Sequence, residues 1–152
     1  MQTTTHLLKQ KRGKNLDQIK EFFKRDKFAE YINAEHLEVS EGYAKAKTDI
    51  QEHHLNGVGI VQGGATFTLA DFTFAAAANS HGTVAVAINA TISFVTAATS
   101  GTLTAEARET SRNPKIATYT IEVTDDNSNT IAIFQGMVYR KKQTLESFID
   151  QA

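Results

Sequence analysis

Apolar residues recur at different spacings along the chain, and each spacing predicts a different element. Near the start, Leu16, Ile19, Phe22, Phe23 and Phe28 fall about a helical turn apart, with charged residues between them. That spacing predicts an amphipathic helix over 16–28, capped by Asn15, with its apolar face packed on the body of the protein. Residues 34–51 alternate instead: Leu37 and Val39 sit between polar neighbours, Glu41-Gly42 supplies a turn, and Tyr43, Ala44, Ala46 and Ile50 follow. This predicts a hairpin. The loop 52–62 carries two glycines. From Gly63 the pattern changes again. Phe67, Leu69, Ala70, Phe72, Phe74 and Ala75–Ala78 leave almost no polar side. Between the glycine pair Gly63-Gly64 and the stop Asn79-Ser80-His81-Gly82, they predict a buried helix over about 63–80.

The rest reads as strand. Val84–Ile88 and Ile92–Val95 suggest one long strand, nearly continuous in apolar character, with Asn89 and Thr91 as polar interruptions. Leu103, Ala105 and Ala107 alternate with Thr102, Thr104, Glu106 and Arg108, as do Tyr119, Ile121 and Val123 with Thr118, Thr120 and Glu122. Asn113-Pro114 separates these two, and Asp125–Asn129 is a turn before a last strand over 131–139. Short links between successive strands predict antiparallel neighbours. The expected architecture is α+β: one long antiparallel sheet wrapped round a central helix, plus an N-terminal helix. At 152 residues the chain is expected to form a single domain, with a basic tail over 1–14 and a C-terminal tail over 143–152.

Composition narrows the function classes. Residues are 41% hydrophobic and 22% charged, with formal net charge −1, which argues against nucleic acid as the main partner. The absence of cysteine excludes disulfides, thiolate metal sites and a cysteine nucleophile. The start lacks an apolar segment of signal type, and the run 65–78 is too short and too polar to span a bilayer. A soluble, cytoplasmic protein is expected. The basic run Lys9, Lys11, Arg12, Lys14 reads as a solvated tail.

One charge stands apart. Between Leu55 and Ala105, Asp71 is the only Asp, Glu, Lys or Arg. On a helix its neighbours are Phe67, Thr68, Phe74 and Ala75, none of them a counter-charge. Such a carboxylate either faces water or a distant backbone N–H, or works as a general base or nucleophile in an apolar cleft. Gly63 and Gly64 stand at a helix N-terminus, where bare amides can bind an anion or polarise a carbonyl; equally, glycine there can serve only to let the loop enter the core. His53, His54 and His81 match no metal-binding motif, and no nucleophilic serine elbow, P-loop or dinucleotide fingerprint is present.

The string His54-Leu55-Asn56-Gly57-Val58-Gly59-Ile60-Val61-Gln62-Gly63-Gly64, followed by Leu69-Ala70-Asp71, resembles the H-x-N-x-x-G-x-x-H-G-G-x(4)-L-x-D signature of the PaaI-like, phenylacetate-degradation type of hotdog-fold acyl-CoA thioesterases. The similarity runs over 30–142. It implies a hotdog fold and hydrolysis of an acyl-CoA thioester, with CoA as part of the substrate and no separate cofactor or metal. It implies catalytic roles for Asp71 as nucleophile or general base, for the Gly63 N–H on the thioester carbonyl, and for Asn56 in holding carbonyl or water. Family sites lie between subunits, so a homodimer or homotetramer is implied, with Asp71 facing Gly63 and Asn56 of another chain. Gln62, Gly64, Asn89, Arg140 and Lys141 are the expected substrate contacts, the last two for CoA phosphates. Gln62 stands where the signature has histidine and cannot titrate near neutral pH. That substitution motivates the alternative of a non-catalytic acyl-CoA-binding module. A third reading, an enoyl-CoA hydratase or dehydratase, needs a histidine partner that His53, His54 and His81 do not supply by pattern. Pocket depth depends on how Phe67, Phe72, Phe74, Phe94 and the N-terminal helix pack.

Overall fold

A computed structural model describes Leu7 and residues 16–151. The basic run Lys9–Lys14 and the Asn15 cap lie outside the described residues. Residues 16–22 form helix α1, a single 3-10 turn follows at Phe23–Arg25, and α2 spans Lys27–Tyr31. The one helix expected over 16–28 is therefore broken. The break is at Asp26, whose backbone leaves the helical region (ψ 85°) while its side chain caps α2 by accepting the Ala29 N–H at 2.9 Å. Phe28 consequently points outward, 63% exposed, rather than joining Ile19 in the core.

Strands β1 (Glu35–Ser40) and β2 (Tyr43–Asp49) form the expected hairpin, turning at Gly42 with φ 70°. Helix α3 (Gly63–Asn79) comes next. It is followed by β3 (Thr83–Phe94), β4 (Thr102–Arg112), β5 (Ile116–Thr124), β6 (Thr130–Thr144) and α4 (Leu145–Asp150). All pairings are antiparallel, in the order β1-β2-β4-β5-β6-β3. The sheet curves round α3. Small residues on its inner face, Ala44, Ala46, Ala105 and Ala107, let the helix approach, and Leu69, Ala70, Phe74 and Ala76–Ala78 are buried against them. At Gly136 a Cβ would lie 2.5 Å from the Phe74 ring, so glycine is what seats that ring in the sheet. This is the helix-in-sheet architecture of the hotdog fold.

Succession in sequence misleads at β3, which pairs with β6 and not with β4, the strand that follows it. Helix α3 carries the chain across the inner face and releases it at the far edge. There Asn79 ties the two elements: Nδ2 donates to Ala75 O at 2.8 Å, and Oδ1 accepts the Ala85 N–H at 2.9 Å. The segment 95–101 then crosses the end of the sheet, held by Val95 N–H to Ile131 O and Val61 N–H to Ala98 O, both 2.8 Å. Thus β3 runs antiparallel to α3 along one open edge. Its residues Val86, Ile88 and Phe94 are exposed because no strand lies beside them. The last strand continues past Tyr139, and the tail folds as α4, capped by Thr144. Among the described residues no helix is long and apolar enough to cross a membrane.

Candidate active site

The segment leading into α3 is fixed by its own polar groups. Leu55 and Val61 bridge, and the Asn56 N–H donates to Ile60 O at 2.8 Å. Asn56 Oδ1 accepts the N–H groups of Val58 (3.0 Å) and Ile60 (3.3 Å), an Asx-type closure that Gly59 at φ 79° permits. The Asn56 carbonyl oxygen is thereby occupied. Its Nδ2 has no partner among the described residues and is left to donate. His54 anchors the same segment. Its carbonyl accepts the Gln62 N–H at 2.8 Å, and its ring Nδ1 accepts the Gln51 N–H at 3.1 Å. The ring is buried, Nε2 has no hydrogen-bond partner of normal geometry among the described residues, and burial first, then the neighbouring His53, holds its pKa below the ordinary histidine value.

Gln62 is the N-cap of α3. Its carbonyl accepts the N–H groups of Ala65 (2.9 Å) and Thr66 (3.4 Å), and its side-chain Oε1 accepts the Gly64 N–H. One amide of the first turn remains without a hydrogen bond among the described residues: the Gly63 N–H. It sits at the positive end of the helix dipole, the place where backbone amides stabilise negative charge. The Phe94 ring covers the Cα of Gly63; a Cβ there would lie 3.0 Å from the ring. Gly63 and Asn56 open on a cavity of about 260 Å³, walled by Ile60, Val61, Thr66, Phe94, Val95 and Ile131. Among the described residues no charged side chain lines it.

Asp71 is absent from this cavity. It follows Gly63 by eight positions in the same helix, about 12 Å of axial rise. It belongs instead to the one stripe of α3 that the sheet leaves partly uncovered, with Gly64, Thr68 and Ala75. No hydrogen bond or ion pair reaches its carboxylate among the described residues. Desolvation, and secondarily the like charge of Asp26, push its pKa above the ordinary aspartate value.

The other expected contacts lie elsewhere on the chain. Asn89 follows a β-bulge between Ala87 and Asn89, which turns it to the outer face with Thr91, Thr118 and Gln135. Arg140 and Lys141 line a surface cleft of about 480 Å³ with Arg112, and Arg140 Nη1 donates to Asn113 O at 2.9 Å. From Ile131 at the cavity, nine residues of β6 set this basic cleft about 30 Å away. A single chain therefore assembles Asn56, Gln62, Gly63 and Gly64, and leaves Asp71, Asn89, Arg140 and Lys141 apart from them. Sequence reasoning did not place the wall formed by Ile60, Val61, Thr66, Val95 and Ile131. The pairing of 95–98 with distant segments carries no local pattern. His36, also unremarked, is buried against Phe72 with ring centroids 3.7 Å apart, and burial lowers its pKa to about 4. No cluster of three or more His, Asp or Glu suited to a metal occurs among the described residues.

An apolar helix wrapped by a six-stranded antiparallel sheet defines a hotdog protein. Comparison with known proteins gives the family. Residues 58–132 match the family model described as Thioesterase superfamily. The chain is 41% identical over 132 residues, 86% of each sequence, to an Archaeoglobus fulgidus protein provisionally named an esterase. It is 34% identical over 119 residues to the acyl-coenzyme A thioesterase PaaI of Escherichia coli K12, covering 78% of this chain and 85% of that one. The structure of E. coli PaaI superposes with a TM-score of 0.83 at 31% identity, over 88% of this chain and 97% of that one. The chain belongs to the thioesterase superfamily, as a PaaI-like hotdog protein.

Proposed function

We propose that this protein hydrolyses acyl-CoA thioesters in sites shared by two copies of the chain. The observation that carries this reading is the unclaimed Gly63 N–H, held beside the Asn56 amide at an uncharged cavity. The substrate carbonyl oxygen accepts from both donors. Asp71 of the partner subunit removes a proton from water as the water oxygen bonds to the carbonyl carbon. The electron pair displaced onto the carbonyl oxygen is stabilised by Gly63 at the helix N-terminus. Collapse breaks the C–S bond, and the proton on Asp71 goes to the departing sulfur, giving free acid and CoA thiol. In the alternative with Asp71 as nucleophile, its carboxylate bonds to the carbonyl carbon and the C–S bond breaks to release CoA thiolate. Water then cleaves the mixed anhydride, giving the free acid and a protonated Asp71, whose proton passes to the thiolate and restores the carboxylate.

Two features support a shared site. Within one chain, Asp71 is too far along α3 to act at Gly63. Pairing the open β3 edges antiparallel about a two-fold axis would cover Val86 and Ile88. Because α3 is antiparallel to β3, that operation reverses the second α3 and carries its Asp71 stripe toward the first Gly63. It also swings the far end of the partner sheet, with Arg140 and Lys141, toward the cavity mouth, where cations suit the phosphates of CoA.

The structure gives Gln62 a role that needs no titration: its side chain caps α3. This favours hydrolysis over a binding module that has lost its histidine. The test is CoA thiol release from a panel of acyl-CoAs, including phenylacetyl and hydroxyphenylacetyl forms, by the wild-type protein and Asp71→Ala. Wild-type turnover with a loss of about 100-fold or more in the variant is expected. Turnover undiminished in Asp71→Ala contradicts the mechanism.

A further inference from the structure

Phe94 has an unusual position for a large apolar side chain. One side of its ring lies on the Cα of Gly63, where a Cβ would come within 3.0 Å of it. The ring also lines the cavity shared with Asn56, yet it is 58% exposed. Val95, next along the wall, is equally exposed at 58%. Together with Ile60, Val61 and Ile131, they make the wall apolar on every side but that of Asn56 and the two threonines, Thr66 and Thr96. A ligand seated against the ring would take from water part of the surface that the open strand edge leaves exposed. The ring is also in contact with the residue whose N–H is the unclaimed donor. A carbonyl held at that N–H must project one of its substituents along the ring.

We infer that Phe94 is a specificity-determining residue, the wall that limits the size of the uncharged acyl group attached to the thioester carbonyl. The inference rests on the hydrolytic reading above and adds a size rule to it. Within one chain the ring walls a cavity of about 260 Å³, and an acyl group lengthened from the carbonyl runs against it. A long alkyl chain has to displace Phe94.

The test compares kcat/KM for a compact and a long-chain acyl-CoA, butyryl and dodecanoyl, in wild type, Phe94→Leu and Phe94→Ala. The wild type favours the compact substrate. Truncation shifts the long-to-compact ratio by about tenfold or more toward the long chain, with leucine intermediate. Both substrates carry the same CoA, so an equal loss on the two would mean that Phe94 touches the CoA arm or only the second copy, and would overturn the inference. An unchanged ratio would do the same. Calorimetric binding of non-hydrolysable butyryl and dodecanoyl thioether analogues reads the same ratio without turnover. If wild type binds these analogues but cleaves neither thioester, the hydrolytic reading fails while the size rule is still decided. Leucine keeps an apolar side chain over Gly63, so the comparison stands even where alanine destabilises the strand end.

Discussion

The side-chain oxygen of Gln62 accepts the Gly64 N–H and leaves the neighbouring Gly63 N–H as the amide of the first turn without a partner among the described residues. This division separates the two residues chemically, and substitutions can read each role alone. Gly63 occupies the first position of α3, where proline is well tolerated, and Gln62 before it is already extended at φ −63°, ψ 134°. Gly63→Pro therefore deletes the donor with little cost to the helix. Steady-state kinetics should show kcat down by about 100- to 1,000-fold, the usual cost of one oxyanion donor. Gly63→Ala keeps the N–H and only presses on Phe94, so it should lose far less. Equal losses in the two variants would mean that the amide is not used. Gln62→Ala removes the cap and should cost about 1 kcal/mol of stability by denaturant titration. Because glutamine carries no titrating proton, the shape of the pH–rate profile should stay the same.

Asp71 is held above the ordinary aspartate pKa by desolvation and by Asp26. As a base it must be ionised, so kcat/KM should fall with decreasing pH through a midpoint higher than that of a free aspartate. Its effect on stability has the opposite sign. Between the unfolded and folded pKa values the native state binds more protons, so this carboxylate destabilises the fold progressively as pH rises through that window. Asp71→Asn should accordingly raise the thermal midpoint at neutral pH while abolishing turnover. A midpoint that falls at neutral pH would show that the carboxylate has a stabilising partner.

Much of this was legible in the sequence, for identifiable reasons. A helix apolar on nearly every side needs a sheet around it, and strands with one wet face supply that sheet. Asn56, Gln62, Gly63 and Gly64 lie within nine consecutive residues, so spacing alone held them together. Asn89 could not be placed because one extra residue at the Ala87/Asn89 bulge reverses the alternation and turns its side chain outward. The β3–β6 pairing was hidden because the short segment 95–101 crosses the sheet end instead of turning back on itself. The break at Asp26 was hidden because an aspartate inside a helical spacing looks like a surface charge until its side chain is seen capping α2.

His36 predicts an acid-sensitive fold. Its ring is stacked on Phe72, its Nε2 lies 3.3 Å from Phe72 O, and burial holds its pKa at about 4 against 6.5 for a free histidine. The unfolded chain binds the extra proton first, so the stability present above pH 6.5 is lost as pH falls toward 4. The loss amounts to about 3 kcal/mol from this group. Urea titrations of wild type and His36→Phe between pH 7 and 4 should show the wild type losing more stability over that interval. Parallel losses would assign the acid sensitivity to other groups.

Whether one active site is built from two chains can be measured directly by mixing two inactive variants. Asp71→Ala retains Gly63, and Gly63→Pro retains Asp71. Unfolded together and refolded at equal concentration, half of the resulting dimers should be mixed, each carrying one intact site and one doubly defective site. Acyl-CoA thiol release should then recover to about a quarter of the wild-type rate, the statistical yield for isologous pairing. Activity no higher than the mean of the two variants alone would contradict the shared site, and with it the proposed pairing of Asp71 and Gly63 across the interface.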